Sequence, residues 1–194
     1  TIGKLGTTAN SGAEDIYLIK YNSTGEKQFT KQIGSSVGDY SNEIKIDSQN
    51  NIYITGYTKG GLDGNSNSGS NDIILIKFNN NGEIIWGKQF GTASSDISNA
   101  ISFDNSGNIY ITGFTGSSLD GNIFKGNEDI FISKFTQSGE KVWTKQYGTP
   151  QNDKGNSIAI GYDNSIYITG ITSGQLDWNI GVGLNDIFLT IIEN

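Results

Sequence analysis

The chain has 194 residues with 13 Lys and Arg against 20 Asp and Glu, a net charge of −7, and its pI is near 4.5. This negative charge argues against binding to the phosphate backbone of nucleic acids. The chain has no Cys and no His, which excludes disulfides and removes the commonest general base and transition-metal ligand. No apolar run approaches the roughly 20 residues of a membrane-spanning helix.

One stretch of the chain occurs three times at a constant spacing. Residues 51–58 (NIYITGYT) return as 108–115 (NIYITGFT) and as 165–172 (SIYITGIT), each 57 positions after the last. Asp-Ile steps keep the same spacing at positions 15, 72, 129 and 186. A fixed period of this size with strand-type residues in every copy predicts an array of repeated sheets.

In chain order, residues 1–14 align with 58–71, so the sequence opens within a repeat. Two strands, 15–21 and 26–34, follow and are joined by a turn at Gly25. The first complete unit then supplies four predicted strands, the second repeats them, and the third supplies three before the chain stops. We predict no helix and eleven strands in these units: 41–47, 51–58, 72–78 and 83–90; 98–104, 108–115, 129–135 and 140–147; 156–162, 165–172 and 186–192.

The pattern within each predicted unit indicates its architecture. In 72–78 (DIILIKF), Ile73 and Leu75 point to one face of the sheet, and Ile74, Ile76 and Phe78 point to the other. Both faces are apolar, as expected for a sheet packed between two neighbours. Four short antiparallel strands per unit predict an all-β fold made of β-propeller blades. The alternative is a β-solenoid, whose rungs usually have about half this period.

We therefore interpret residues 1–194 as a single propeller-repeat domain of about three and a quarter blades. Its predicted divisions are a partial blade at 1–35, blades at 36–92 and 93–149, and a partial blade at 150–194. Because about four blades are the smallest ring that closes, we expect an open arc with apolar end faces and an unpaired edge at 186–192. Another copy, or upstream repeats, would complete it. In one arrangement, a six-bladed homodimer, residues 26–34 of one chain finish the last blade of the other.

The repeated runs also resemble a known family. DSQNNIYITGYT and DNSGNIYITGFT, followed by LDGN, an Asp-apolar strand and G-E-x-x-W-x-K-Q-[FY]-G, are similar to the bacterial beta-propeller repeats called SBBP repeats. The resemblance implies that strand 41–47 lies nearest the propeller axis and strand 83–90 lies outermost. The third unit departs from the pattern, with Trp178 replacing the Gly of LDGN and Gly161 standing where Asp47 and Asp104 stood. With the Asn, Ser and Gly-rich composition, the resemblance implies an extracellular or bacterial outer-surface protein, secreted or lipid-anchored, whose leader is not in this sequence.

Successive connections of an up-and-down sheet alternate between its two ends. The long loops 59–71, 116–128 and 173–185 therefore share one face, the long-loop face, with the crossings between blades at 34–41, 91–98 and 148–155. The turns 47–51 and 79–82 lie on the opposite face, the short-turn face. Because binding residues concentrate on loops carried by a rigid scaffold, we expect function on the long-loop face.

The candidate ligand-binding residues are loop carboxylates and one tryptophan: Asp39, Asp96, Asp153, Asp63, Asp120, Asp177 and Trp178. The first three recur in the crossings, where they would either hold calcium at the mouth of the channel or accept hydrogen bonds within their own loops. The next three lie in oxygen-rich loops that lack the spacing and terminal Glu of an EF-hand, so the metal signal is weak and turn formation accounts for them. Trp178 suits carbohydrate stacking or a protein contact, or else it caps the last blade.

The remaining aromatic signal concerns Phe29, Trp86 and Trp143, which occupy one position of the repeat. They are similar to the tryptophan-docking motif of quinoprotein propellers, which implies packing between blades. With neither His nor Cys, we find no nucleophile and base pair and predict no catalytic residue or cofactor apart from calcium.

The leading hypothesis is a non-catalytic module that binds a protein or glycan through the long-loop face. The alternatives are a structural subunit of a filament, sheath or surface layer assembled through the open ends and, more weakly, a propeller hydrolase or lyase.

Overall fold

The computed structural model describes residues 11–176 and 186–192, with side chains to residue 189. Within these ranges the chain forms thirteen strands and one short 3-10 turn at Leu119–Gly121. The strands are β1 (Ile16–Tyr21), β2 (Lys27–Ile33), β3 (Asp39–Ile46), β4 (Ile52–Thr58), β5 (Asp72–Phe78), β6 (Ile84–Phe90), β7 (Asp96–Phe103), β8 (Ile109–Thr115), β9 (Asp129–Phe135), β10 (Lys141–Tyr147), β11 (Asp153–Ile160), β12 (Ile166–Thr172) and β13 (Asp186–Ile192).

The strands form four antiparallel sheets in which each strand pairs with its neighbour in sequence. Their orders are β1-β2, β3-β4-β5-β6, β7-β8-β9-β10 and β11-β12-β13. The two complete sheets have the predicted four strands, and the last sheet lacks an outer strand after β13 in the described residues. The prediction of an all-β fold built from propeller blades is confirmed, and the sheets do not close into a ring.

The innermost strands differ from the prediction at their beginning. We expected them to start at Ser41, Ser98 and Asn156, but they start at Asp39, Asp96 and Asp153. Each contains a β-bulge that leaves an Asn out of the pairing register, at Asn42, Asn99 and Asn156. The bulge shifts by one residue which side chains point to each face of the sheet. The alternation used to predict the strand therefore does not extend to its first residues.

The bulged asparagines connect neighbouring sheets. Asn42 Nδ2 donates to the carbonyl oxygen of Ser98 at 2.8 Å, and Asn99 Nδ2 donates to the carbonyl oxygen of Gly155 at 2.9 Å. Each bond joins the bulge of one inner strand to the inner strand of the next sheet. The bulge is therefore a repeated device that fixes the distance between sheets near their inner edge.

Side chains from consecutive sheets interdigitate in three apolar clusters. We call the face of a sheet that packs on the next sheet its forward face, and the opposite face its backward face. In β5, Ile73 and Leu75 belong to the forward face and pack with Phe131 and Phe135 of the following sheet. Ile74, Ile76 and Phe78 belong to the backward face and pack with residues of β1. The third cluster joins the β7–β10 sheet to the β11–β13 sheet.

The same faces are exposed where the array stops. On the forward face of β13, Ile187 is 86% exposed and Leu189 is 69% exposed. On the backward face of β1, Tyr17 is 53% and Tyr21 is 57% exposed. The ends of the arc thus show to solvent the rows of side chains that the interior sheets bury.

Candidate functional site

The crossing aspartates Asp39, Asp96 and Asp153 are buried at the first residue of the inner strands. The Oδ2 atom of Asp96 accepts hydrogen bonds from Thr92, at 2.5 Å from its backbone N–H and 2.8 Å from its hydroxyl. Its Oδ1 accepts the hydroxyl of Thr115 at the end of β8. Ser35 and Thr58 bond Asp39 in the same way, and Thr149 and Thr172 bond Asp153. Each carboxylate therefore ties its crossing loop to the end of the neighbouring strand.

The hypothesis that the crossing aspartates bind calcium requires several carboxylates close together, and the described residues contain no such cluster. In the described part of the chain, no three acidic side chains come together in a way that could hold a metal ion. Calcium prefers six to eight oxygen ligands, and the oxygens of Asp96 already accept three hydrogen bonds. Calcium binding by Asp39, Asp96 and Asp153 stays a prediction, which a calcium titration followed by the melting temperature tests.

A second set of buried carboxylates lies beside the crossings. Oδ2 of Asp72 accepts hydrogen bonds from the Ser68 backbone N–H at 2.7 Å and from Gln89 Nε2 at 3.1 Å. Its Oδ1 is buried without a hydrogen-bond partner among the described residues. A Cβ at Gly91 would lie 2.6 Å from this Oδ1 and 3.0 Å from Oδ2 of Asp96. Glycine at this position therefore permits two buried carboxylates to approach each other.

The long loops are held down by the glutamines of the Lys-Gln steps. Gln89 Oε1 accepts the backbone N–H of Leu62 at 2.9 Å, and its Nε2 donates to the Gly60 carbonyl and to Asp72. Gln146 makes the equivalent bonds to Leu119, Ser117 and Asp129. The sequence shows these glutamines recurring every 57 residues, but their role was missed because their partners lie up to 29 positions away.

The predicted loop aspartates are placed by turn geometry. Asp63 and Asp120 have φ of 52° and 50°, and the glycines that follow them also have positive φ. Oδ2 of Asp120 accepts bonds from Lys141 Nζ at 2.7 Å and Thr144 Oγ1 at 2.6 Å. Partial burial acts to raise the pKa of Asp120, but these bonds and the charge of Lys141 outweigh it and lower the pKa. Asp177 and Trp178 lie outside the described residues.

The three aromatic residues of the repeat lie at the boundaries between sheets. Phe29 packs against the cluster between the first two sheets, and a Cβ at Gly82 of the next sheet would lie 2.8 Å from its ring. Trp86 takes the same place against Gly139 at 3.0 Å. Trp86 and Trp143 also meet Tyr53 and Tyr110 edge to face, with ring centroids 6.0 and 6.1 Å apart. The contacts with the glycines suit packing between sheets, whereas the contacts with the tyrosines lie within one sheet.

The short-turn face carries two carboxylates that we did not propose as site residues, Asp47 and Asp104. Asp104 accepts bonds from the backbone N–H groups of Ser106 and Asn108, from the Asn108 side chain, and from the Tyr110 hydroxyl at 3.1 Å. Burial acts to raise the pKa of Asp104, but the hydrogen bonds, the Asn108 side chain first among them, lower it. The recurring D-x-x-x-N-x-Y spacing is the sequence signal for this arrangement.

Two cavities open on opposite faces of the arc. One, of 480 Å³, lies on the long-loop face and is lined by Thr149, Pro150, Gln151, Ser173, Gly174, Gln175 and Asp186. The other, of 340 Å³, lies on the short-turn face between the turns that contain Asp47 and Asp104, with Ile46 and Phe103 among its walls. Both combine carboxylate and amide groups, which suit neutral polar ligands.

Comparison with known proteins agrees with this geometry. The sequence model of the beta-propeller repeat, SBBP, matches residues 28–63, 85–124 and 142–177, and each match runs from the outer strand of one sheet through the first two strands of the next. The chain belongs to the SBBP beta-propeller repeat family. The three matches follow the 57-residue period that separates the four sheets, so the resemblance seen in the sequence is confirmed.

Two curated proteins are similar to this SBBP chain at low identity. Regulatory protein FlaEY of Caulobacter vibrioides is 25% identical over 164 residues, which cover 77% of this chain and 17% of FlaEY. The uncharacterized WD repeat-containing protein L264 of Acanthamoeba polyphaga mimivirus is 26% identical over 200 residues, covering 82% of this chain and 14% of L264. The SBBP chain thus spans less than a fifth of either relative. Among the described residues, no helix has the length and apolar character needed to cross a membrane.

Proposed function

We propose that this SBBP chain is a non-catalytic interaction module that binds a protein or glycan through its long-loop face. The observation that carries the proposal is the cavity of 480 Å³ on that face, with Gln151, Gln175 and Asp186 in its lining. Amide and carboxylate groups that converge on a concave surface suit hydroxyl-rich or peptide ligands. A regulatory relative and a WD-repeat relative are consistent with binding as the shared role of these propeller repeats.

The framework beneath this face supports the same role. Asp153 closes the crossing that lines the cavity, as Asp39 and Asp96 close theirs. The long loops 59–71 and 116–128 are attached to their sheets by Gln89 and Gln146. Side chains on loops held in this way lose little conformational freedom when a ligand binds, which favours affinity. We further propose that the chain acts at the bacterial outer surface or outside the cell.

The test is a screen of the purified chain on arrays of glycans and bacterial surface proteins. If a binder is found, the double variant Gln151→Ala with Gln175→Ala should weaken it by about tenfold or more, since two side chains of the cavity are lost. Gln49→Ala, in the lining of the cavity on the short-turn face, is the matched control and should bind normally. If Gln49→Ala weakened binding and the double variant did not, the site would lie on the short-turn face. The absence of any binder would count against the proposal.

The exposed ends of the arc favour a second function, that of a structural subunit that associates with itself or with further repeats. The observation that carries this second proposal is the exposure of Ile187 and Leu189, because neighbouring aliphatic side chains on one face of a sheet are rarely so exposed. Negative-stain microscopy at rising concentration distinguishes the two proposals, since ordered polymers are required only by a filament, sheath or surface layer.

A further inference from the structure

The four strands β1, β5, β9 and β13 occupy the same place in successive sheets, so their side chains can be compared row by row. On the forward face, Ile73 and Leu75 of β5 and Ile130 and Ile132 of β9 are at most 1% exposed. The equivalent residues of β13 are Ile187 and Leu189, at 86% and 69%. The difference between these positions is the presence of a following sheet, which β5 and β9 have and β13 lacks among the described residues.

The backward face shows the complementary situation at the other end. Phe78, Phe131 and Phe135 are at most 1% exposed, because a preceding sheet covers them. The equivalents of Phe131 and Phe135 in β1 are Tyr17 and Tyr21, which are 53% and 57% exposed. One end of the arc therefore presents an aliphatic row, and the other presents an aromatic row.

These two rows are partners wherever the structure brings them together. Ile73 and Leu75 of one sheet share a single apolar cluster with Phe131 and Phe135 of the next. Ile130 and Ile132 share a cluster with Phe188 in the same way. The exposed ends are thus the two halves of a contact that the chain already makes internally.

We propose that the forward face of the last sheet of one copy packs on the backward face of the first sheet of a second copy, in the register of the internal junctions. Ile187 and Leu189 then meet Tyr17 and Tyr21 of the second copy, as Ile73 and Leu75 meet Phe131 and Phe135. No strand has to leave its sheet. This deepens the self-association proposed above and does not depend on a ligand at the long-loop face.

A second copy is the partner because one chain carries both halves of the contact. Such a junction is head to tail, so it forms again at the other end of the pair and either closes a ring or continues as a filament. Each copy contributes four sheets. Two copies give eight sheets, four of them complete and four partial, and closed propellers have about four to eight blades. We therefore assign the partner as a single second copy.

The first experiment is light scattering coupled to size-exclusion chromatography, with the 194-residue chain at micromolar concentration. We expect twice the monomer mass of 20.9 kDa. Leu189→Lys and Tyr17→Lys should each weaken the pair by about a hundredfold or more, because a buried unpaired ammonium is costly. Both side chains are exposed in the single chain, so each variant should keep the far-ultraviolet circular dichroism of the parent.

The matched controls are Ile85→Lys and Val142→Lys. These residues are 50% and 51% exposed on the outer strands β6 and β10. They therefore test the replacement of an exposed apolar side chain by Lys at a distance from the end faces. Both variants should remain dimeric. Loss of the dimer in either control would overturn the assignment of the interface to the end faces.

A mixing experiment tests the head-to-tail arrangement. The Leu189→Lys copy keeps an intact β1 face, and the Tyr17→Lys copy keeps an intact β13 face. An equimolar mixture should therefore recover a two-copy species through one intact junction. A parent chain that stays monomeric would overturn the proposal. So would a dimer broken by Leu189→Lys but not by Tyr17→Lys, which would mean that the β13 face pairs with itself, and so would growth into open polymers.

Discussion

The glycine in each recurrent YITG stretch lies opposite the bulge of the inner strand. A Cβ at Gly113 would be 1.9 Å from the carbonyl oxygen of Ile97, and Gly56 and Gly170 are in the same position at 2.1 and 1.9 Å. We expect Gly113→Ala to lower the free energy of unfolding by about 2 kcal/mol or more, because backbone has to move to make room. Urea denaturation followed by tryptophan fluorescence measures the change.

Gly87 provides the matched control within a strand. Its nearest neighbour would be the tip of the Asp63 side chain at 3.1 Å, and Thr144 is its equivalent in the next unit. Gly87→Ala should be nearly neutral or slightly stabilising, since alanine restricts the unfolded chain more than glycine does. Equal losses in the two variants would contradict the role of the bulge.

The pH dependence of stability should report the turn carboxylates of the short-turn face. The pKa of Asp104 is lower in the folded chain than its ordinary value, because hydrogen bonds to the ionised form outweigh the effect of burial. A lowered pKa adds stability that is present above the unfolded pKa of about 3.9 and is lost as the pH falls through the folded pKa. The difference in unfolding free energy between the parent and Asp104→Asn should therefore be largest near neutral pH and shrink below about pH 4.

Glu140→Gln removes one negative charge from an exposed turn and serves as the control for net charge. Denaturation series at several pH values, with both variants and the parent, give the comparison. A difference between the parent and Asp104→Asn that does not change with pH would show that the carboxylate acts only through its shape.

At the scale of one element, the long loop 116–128 is held by several side chains of β10, and Gln146 is the one that bonds the loop backbone. Gln146 bonds the N–H of Leu119, the carbonyl of Ser117 and the carboxylate of Asp129. Replacing it with Ala leaves the N–H of Leu119 and one carboxylate oxygen without these partners. We expect hydrogen exchange at the Leu119 amide to rise by about tenfold or more, since an amide that loses its bond opens more readily.

The neighbouring residue supplies the control for this prediction. Lys145 is exposed, and its ammonium lies 5.4 Å from the ring of Trp143. Lys145→Ala should leave the exchange of Leu119 unchanged. If Gln146→Ala also left it unchanged, the loop would be held by its buried leucine and not by the glutamine.

At the scale of the whole molecule, stability should depend on whether a sheet has a neighbour. Ile132 and Leu189 are equivalent in the repeat, but the first is completely buried and the second is 69% exposed. Ile132→Ala should cost about 2 to 5 kcal/mol of unfolding free energy. Leu189→Ala should cost about 0.5 kcal/mol or less when the chain is dilute enough to be single. Denaturation at submicromolar concentration measures both, and similar losses would mean that β13 is covered within one chain.

The sequence predicted the fold because periodicity and alternation are local properties. Ile73 to Phe78 showed two apolar faces, and the structure packs both of them. The inner strands were placed two or three residues late, since the bulge at Asn42 breaks the alternation that marks a strand. The links made by Gln89 could not be foreseen, because they join a strand to a loop 27 to 29 positions earlier. Asp39, Asp96 and Asp153 were found as a recurring set, but the hydroxyls that bind them come from separate parts of the repeat and were not predicted.

The crossing carboxylates have a consequence for how such genes change. The Asp96 carboxylate bonds Thr92 in the crossing from the preceding sheet and Thr115 at the end of the paired strand β8. A duplicated DNA segment that runs from one crossing to the next therefore encodes the Asp together with both of its hydrogen-bond partners. Unequal recombination between similar stretches of DNA can add or remove a unit in frame, and every remaining link is still complete.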